Sequence, residues 1–120
     1  MNPSRKCFGK WAEEAACAFF QKRGYDILEK NYRTPLGEID LIIRQGNYIV
    51  FVEVKARTSD RYGGPEEAIT DWKKDRILKA AKWYIMEKGV EKFNFRFDCV
   101  FFIGEKENTK IHHIVSAFEA

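Results

Sequence analysis

The stretch GEIDLIIRQGNYIVFVEVKAR, Gly37 to Arg57, sets Glu38, Asp40, Glu53 and Lys55 among Ile, Leu, Val and Phe. Desolvating a charge costs several kcal/mol unless a partner compensates. These four therefore either pair with one another or hold something from outside the chain. Two carboxylates and an ammonium in a poorly solvated place have a specific chemistry. A hard divalent ion such as Mg²⁺ or Mn²⁺ takes carboxylate oxygens, keeps several waters and accepts a substrate phosphate as a further ligand. A lysine beside it orients water or stabilises the negative charge that builds on phosphorus. Asp40, Glu53 and Lys55 around one cation, with a phosphodiester as the missing ligand, describe a nuclease site.

Whether they meet depends on strand register. Ile39 to Arg44 and Tyr48 to Ala56 read as strands, with Gln45-Gly46-Asn47 as the turn. Alternation puts Glu38, Asp40 and Ile42 on one face, and Ile49, Phe51, Glu53 and Lys55 on one face. Ile39, Leu41 and Ile43, and Val50, Val52 and Val54, fall on the other faces. Apolar residues on both sides predict a hairpin inside the sheet, covered on both faces. If Arg44 pairs with Ile49, or Gln45 with Tyr48, Asp40 lies opposite Glu53 and Glu38 opposite Lys55, with Cβ atoms about 4.5–5.5 Å apart. Like charges that close protonate one member or take in a cation. A three-residue loop pairing Arg44 with Tyr48 sends the carboxylates to opposite faces instead. Turn chemistry alone permits either. The competing reading is a pair of cross-strand ion pairs in a stable hairpin.

The elements around the hairpin follow from periodicity. Phe8, Ala12, Ala15, Ala16, Phe19 and Phe20 recur at helical spacing, which predicts a helix over about Arg5–Arg23 closed by Gly24. Tyr25–Tyr32 reads as a short strand, and Thr34-Pro35-Leu36-Gly37 as a turn. Residues 60–65 read as a loop. A helix follows over about Glu66–Lys88, with a restart at Thr70 and a buried stripe of Ile77, Ala81, Tyr84 and Ile85. Phe93–Ile103 and Lys110–Val115 are the last strands. The order predicts an α/β fold over residues 1–120 as a single domain: a mixed sheet of about five strands with helices on both faces.

Composition narrows the function classes. The chain has 120 residues, 45% of them hydrophobic, which suits a packed core rather than disorder. A net charge of +3 is compatible with a phosphate-backbone partner without demanding one. No run reaches the ~18 apolar residues of a membrane span, and Met1–Lys10 lacks the apolar core of a signal peptide. Cys7 and Cys17, on one helix, lie about 15 Å apart, too far to bridge. With Cys99 the count is odd and no CxxC occurs, which points to reduced thiols in a cytoplasm.

Asp40, twelve intervening residues and Glu53-Val54-Lys55 resembles the PD-(D/E)xK nuclease signature. Alone that pattern is weak. Together, GEIDLI, FVEVKAR, GGPEEAI, KKDRILKAAKWYI, FRFDCVFF and IHHIVSAF resemble the YraN-like family of small bacterial endonuclease-like proteins, from about Glu13 to Phe118. The resemblance implies a restriction-endonuclease-like mixed sheet, similar to that of Holliday-junction resolvases, and DNA, including branched DNA, as the substrate. It further implies Asp40 and Glu53 as ligands of Mg²⁺ or Mn²⁺, the Val54 carbonyl completing the metal shell, and Lys55 as the catalytic lysine. The family's helix glutamate aligns with Glu13, which adds a ligand or orients the water; a helical wheel puts Glu14 farther out. Ile39 replaces the motif's proline, and Ala12 the family's usual glycine. Dimerisation suits an enzyme that cuts two strands, although no sequence feature requires it.

Arg57 and Lys73 resemble family positions that could hold phosphates, with a solvated lysine as the favoured reading of Lys73. Arg96 and Asp98 share a strand face, where a structural ion pair is favoured over phosphate contact by Arg96. Glu38 reads as a supporting partner, with Lys55 as its candidate mate. His112 and His113 are adjacent in a strand, so they point to opposite faces and do not suit one metal. Trp11, Trp72 and Trp83 read as packing residues rather than base-stacking platforms. SDRYGGPEEA lacks the lysine pattern of a phosphate loop.

Overall fold

The structure, a computed structural model, describes residues 3–57, 69–104 and 109–118, with side chains from Lys10 onward. Two helices and five strands follow one another as α1 (Pro3–Lys22), β1 (Asp26–Thr34), β2 (Gly37–Gln45), β3 (Tyr48–Arg57), α2 (Asp71–Lys88), β4 (Asn94–Ile103) and β5 (Lys110–Ile114). The strands form one sheet in the order β1-β2-β3-β4-β5. Neighbours run antiparallel except β3 and β4, which are parallel and joined across α2. This is the expected mixed α/β sheet, compatible with a restriction-endonuclease-like fold.

The hairpin closes as a two-residue turn, with Gln45 opposite Tyr48 and Arg44 opposite Ile49. Gly46 takes φ 58° at the first turn position, a left-handed value that glycine adopts freely. β3 is therefore central, and both its faces are covered. On one face Ala12, Ala16 and Phe20 of α1 pack on Leu41, Ile43, Val50, Val52, Val100 and Phe102. On the other, Ile77, Ala80, Ala81 and Tyr84 of α2 pack on Ile42, Ile49, Phe51, Phe97 and Phe101. Trp11 packs edge-on against Phe102, with ring centroids 5.7 Å apart, in the packing role expected of it.

Three details differ from the sequence reading. β1 extends to Thr34, whose Oγ1 accepts the Leu36 and Gly37 N–H groups and so ties the turn to the strand end. α2 begins at Asp71, where Thr70 caps it by accepting the Lys73 N–H at 3.1 Å; the expected start at Glu66 and the 60–65 loop lie outside the described residues. Strict alternation also fails in β2, because Ile39 joins Ile42 in the cluster beneath α2 rather than Leu41 and Ile43 beneath α1. The β2–β3 pairing ends at Leu41 and Val52, so beyond that point β2 is held by β1 alone, through Tyr32–Ile39, Arg33–Glu38 and Thr34–Gly37.

Gly37 is where α2 docks on β2. A Cβ there would run into the backbone carbonyl of Arg76, which a side-chain rotation cannot relieve. Gly37→Ala is expected to cost about 1–3 kcal/mol, the usual range for overpacking. A chemical-denaturation midpoint unchanged from the parent would contradict this docking.

Candidate active site

The site forms where β2 and β3 part. Past Leu41 and Val52 the ladder stops, and the Val54 N–H loses its strand partner. A backbone donor there requires another acceptor. Asp40 provides it, as its Oδ2 accepts the Val54 N–H at 2.9 Å. The register is the one that sets Asp40 level with Glu53, and the carboxylate takes the place of a ladder bond.

Glu53 is 4% exposed on the opposite side of Val54 from the α1 core. A buried carboxylate needs compensating charge. Two ammonium groups supply it: Lys55 Nζ and Lys73 Nζ each lie 3.3 Å from Glu53 Oε1. Lys73 reaches it from the first turn of α2, which the Thr70 cap places. The solvated-lysine reading of Lys73 is therefore corrected: its side chain is only 25% exposed and is an ion-pair partner of the site. No spacing in the sequence announces this contact, since it depends on how α2 crosses the sheet.

Asp40 carries the electrostatic signature of the site. Burial, and then the neighbouring Glu53 charge, push its carboxyl up to about 7. The Val54 N–H and Lys73 act in the other direction, and Glu13 adds to the rise. Glu13 comes from α1 and shares a cleft with Asp40, Asn31, Leu41 and Val54. Its Oε2 accepts a 3.4 Å hydrogen bond from Asn31 Nδ2. Asn31 adopts φ 49° inside β1, a left-handed conformation that Asn tolerates better than most residues. Glu14 lines the same cleft but is exposed, as the helical wheel suggested.

Other residues fall elsewhere. Glu38 does not meet Lys55, because the ladder opens before their level. It pairs with Arg33 of β1 at 3.6 Å in an exposed position. Arg57 ends β3 two residues beyond Lys55, and its carbonyl accepts the Gly104 N–H. Arg96 is bound to Asp98 through two 2.8 Å hydrogen bonds and to the Tyr25 hydroxyl at 2.9 Å, as the ion-pair reading expected. His113 Nε2 lies 2.8 Å from Asp98 Oδ2, whereas His112 is exposed and pairs with Phe101 on the opposite face.

Among the described residues, no three Asp, Glu, His or Cys side chains gather into a cation cage. The available donors are all oxygen: Asp40, Glu53 and the Val54 carbonyl. Two carboxylates suffice for Mg²⁺ or Mn²⁺ when waters and a phosphate complete the shell. The repulsion that raises Asp40 is what such a cation would relieve, so the residues present fit the ion. No helix among the described residues is long and apolar enough to cross a membrane.

Residues 12–102 match the family model described as "Uncharacterised protein family UPF0102". The chain is 46% identical over 111 residues to a UPF0102 protein of Syntrophus aciditrophicus, spanning 92% of this chain and 87% of that one. It is 45% identical over 113 residues to one of Alkaliphilus metalliredigens, spanning 94% and 98%. With one of Clostridium acetobutylicum it shares 42% identity over 121 residues, spanning 99% of each. Matches of that extent leave no part of the site outside the likeness, and the chain belongs to the bacterial UPF0102 family, the YraN-like group to which its motifs point.

Proposed function

We propose that this protein is a metal-dependent endonuclease that hydrolyses phosphodiester bonds in DNA, branched DNA included. One observation carries the reading: Asp40 and Glu53, from strands that separate beside them, are close enough for the charge of one to raise the other, with two lysines at the same point.

Asp40, Glu53 and the Val54 carbonyl would hold Mg²⁺ or Mn²⁺, which supplies Lewis-acid activation of the phosphate and of the attacking water. The protein's own groups do the rest. The Val54 N–H fixes the orientation of Asp40 by holding Oδ2. Lys55 and Lys73 neutralise Glu53 in the absence of substrate. The same two ammonium groups would be the ones to meet phosphate oxygens and the charge that grows on them in the transition state. Glu13, tied to Asn31, presents a carboxylate in the cleft beside Asp40 that can accept a hydrogen bond from the attacking water. Arg57, two residues farther along β3, would be the candidate contact for a flanking phosphate. Arg96 would contact phosphate only by giving up Asp98 and Tyr25, and it takes no part in this scheme.

The test is a nicking assay on linear and branched DNA with Mn²⁺, comparing the parent with Asp40→Ala and Lys55→Ala. Cleavage that requires the ion and disappears in both variants is expected. Equal residual cleavage in all three proteins would identify a contaminant and defeat the proposal. Binding without turnover would leave a nucleic-acid-binding module on a nuclease scaffold.

A further inference from the structure

The sequence reading assigned Trp72 and Trp83 to packing, and here the structure disagrees. Trp72 is 68% exposed and Trp83 41%, with Met86 beside them at 78%. At 3.6 residues per turn, Trp72, Arg76, Lys79, Trp83 and Met86 fall along one line of α2. That line lies away from Ile77, Ala80, Ala81 and Tyr84, which face the sheet. The stripe is mixed rather than greasy. The Arg76 guanidinium sits 5.0 Å from the Trp72 ring centroid. Lys79 comes next along the line, paired in solvent with Asp75 at 2.9 Å.

Flat aromatic faces alternating with cations suit a partner that is itself alternately flat and anionic. Single-stranded nucleic acid has that chemistry: bases stack on indole rings while phosphates meet Arg and Lys. A paired duplex hides its base faces and would use only the cations. Trp72 and Trp83 are eleven residues apart, about 16 Å along the helix. Too distant to sandwich one base, they serve different nucleotides of one strand. The stripe also has a direction. Trp72 adjoins Lys73, whose Nζ touches Glu53, so its near end opens beside the Asp40–Glu53 centre.

We infer that the outer face of α2 is a track for an unpaired nucleic-acid strand leading to that centre. The destination rests on the hydrolase reading above; the binding does not.

The experiment is fluorescence anisotropy of a labelled oligonucleotide, as single strand and as duplex, in EDTA at low salt. Trp72→Ala and Trp83→Ala are each expected to weaken single-strand binding by about five- to fiftyfold and to leave the duplex nearly unchanged. Trp72→Phe keeps most of the affinity, and Arg76→Gln lowers the salt dependence by about one phosphate contact. Both tryptophans are exposed, so circular dichroism and melting should match the parent. Unchanged single-strand affinity in both alanine variants overturns the track, as does an equal loss on duplex. A Trp83-dependent dimer in sedimentation, with no oligonucleotide bound, overturns it too. Hydrolysis is read separately. A parent that binds through Trp72 and Trp83 but cuts nothing with Mn²⁺ defeats the hydrolase reading and keeps the track. Mn²⁺-dependent cutting, with binding indifferent to both tryptophans, does the reverse.

Discussion

Asp98→Ala is expected to destabilise the protein by about 3–5 kcal/mol, the cost of leaving a buried charge without its partner. Asp98 is fully buried and accepts hydrogen bonds from three groups: the Arg96 guanidinium through both its oxygens, His113 and the Ser116 N–H. It thereby ties the middle of β4 to β5 and to the turn after it. Through Arg96 and the Tyr25 hydroxyl it also ties in the approach to β1. Tyr25 and His113 in turn pack edge-on against Phe20 of α1. Burial alone would raise the Asp98 carboxyl, but the bonds from His113, Arg96 and Ser116 outweigh it and hold it below its ordinary 3.8. Because the folded value is depressed, the contribution to stability is present above 3.8 and is lost as pH falls through the folded value. Acid unfolding below about pH 4 should therefore be steep in the parent and shallower in the variant. Replacing both partners, Arg96→Met with Asp98→Leu, should cost less than Asp98→Ala alone, since no guanidinium is then left unpaired. Urea midpoints for the three proteins decide this; a single variant as stable as the parent would show the network to be ornamental.

The hairpin was legible because its signals are local. Gly46 at the turn and apolar residues on both faces mark β2 and β3, whereas the register was open until the two-residue turn, with Gln45 opposite Tyr48, set Asp40 level with Glu53. The helices were legible from their spacing, and the Thr70 cap from residue type. What escaped depends on tertiary approach. Lys73 reaches Glu53 only because α2 crosses the sheet at Gly37, and Glu38 loses Lys55 only because the ladder opens early. Ile39 breaks the alternation for the same reason. The bond between His113 and Asp98 joins residues fifteen apart on different strands, and no pattern within either strand predicts it. The tryptophans were misread because aromatic residues in a helix usually pack inward, whereas here Ala80 and Ala81 take the inward positions and Trp72 and Trp83 the outward ones.

Asp40→Asn is expected to move activity and stability in opposite directions. Cleavage with Mn²⁺ should fall by about 100-fold or more, since removing even an outer partner of a metal ligand costs about 10–100-fold. The fold, meanwhile, should gain. In the folded chain the Asp40 carboxyl keeps its proton up to about 7, whereas its ordinary value is 3.8. Burial and Glu53 favour the neutral form, so that form contributes its stability in full below 3.8 and loses it as pH rises through about 7. Asparagine has no proton to lose, and its carbonyl can still accept the Val54 N–H. Without divalent ions, parent and variant should melt together near pH 4 and separate above pH 7, with the variant ahead by on the order of 2–4 kcal/mol at alkaline pH. Adding Mn²⁺ should then raise the parent's melting temperature and leave the variant's almost still, because only a ligand that binds the folded state stabilises it. A variant no more stable than the parent at alkaline pH would mean that burial and Glu53 together do not hold the Asp40 carboxyl in its neutral form. An equal Mn²⁺ response in both proteins would place the ion elsewhere. Asparagine would be the more stable residue at this position, so a carboxylate there fits the proposed hydrolase, in which it would share a cation with Glu53 between β2 and β3.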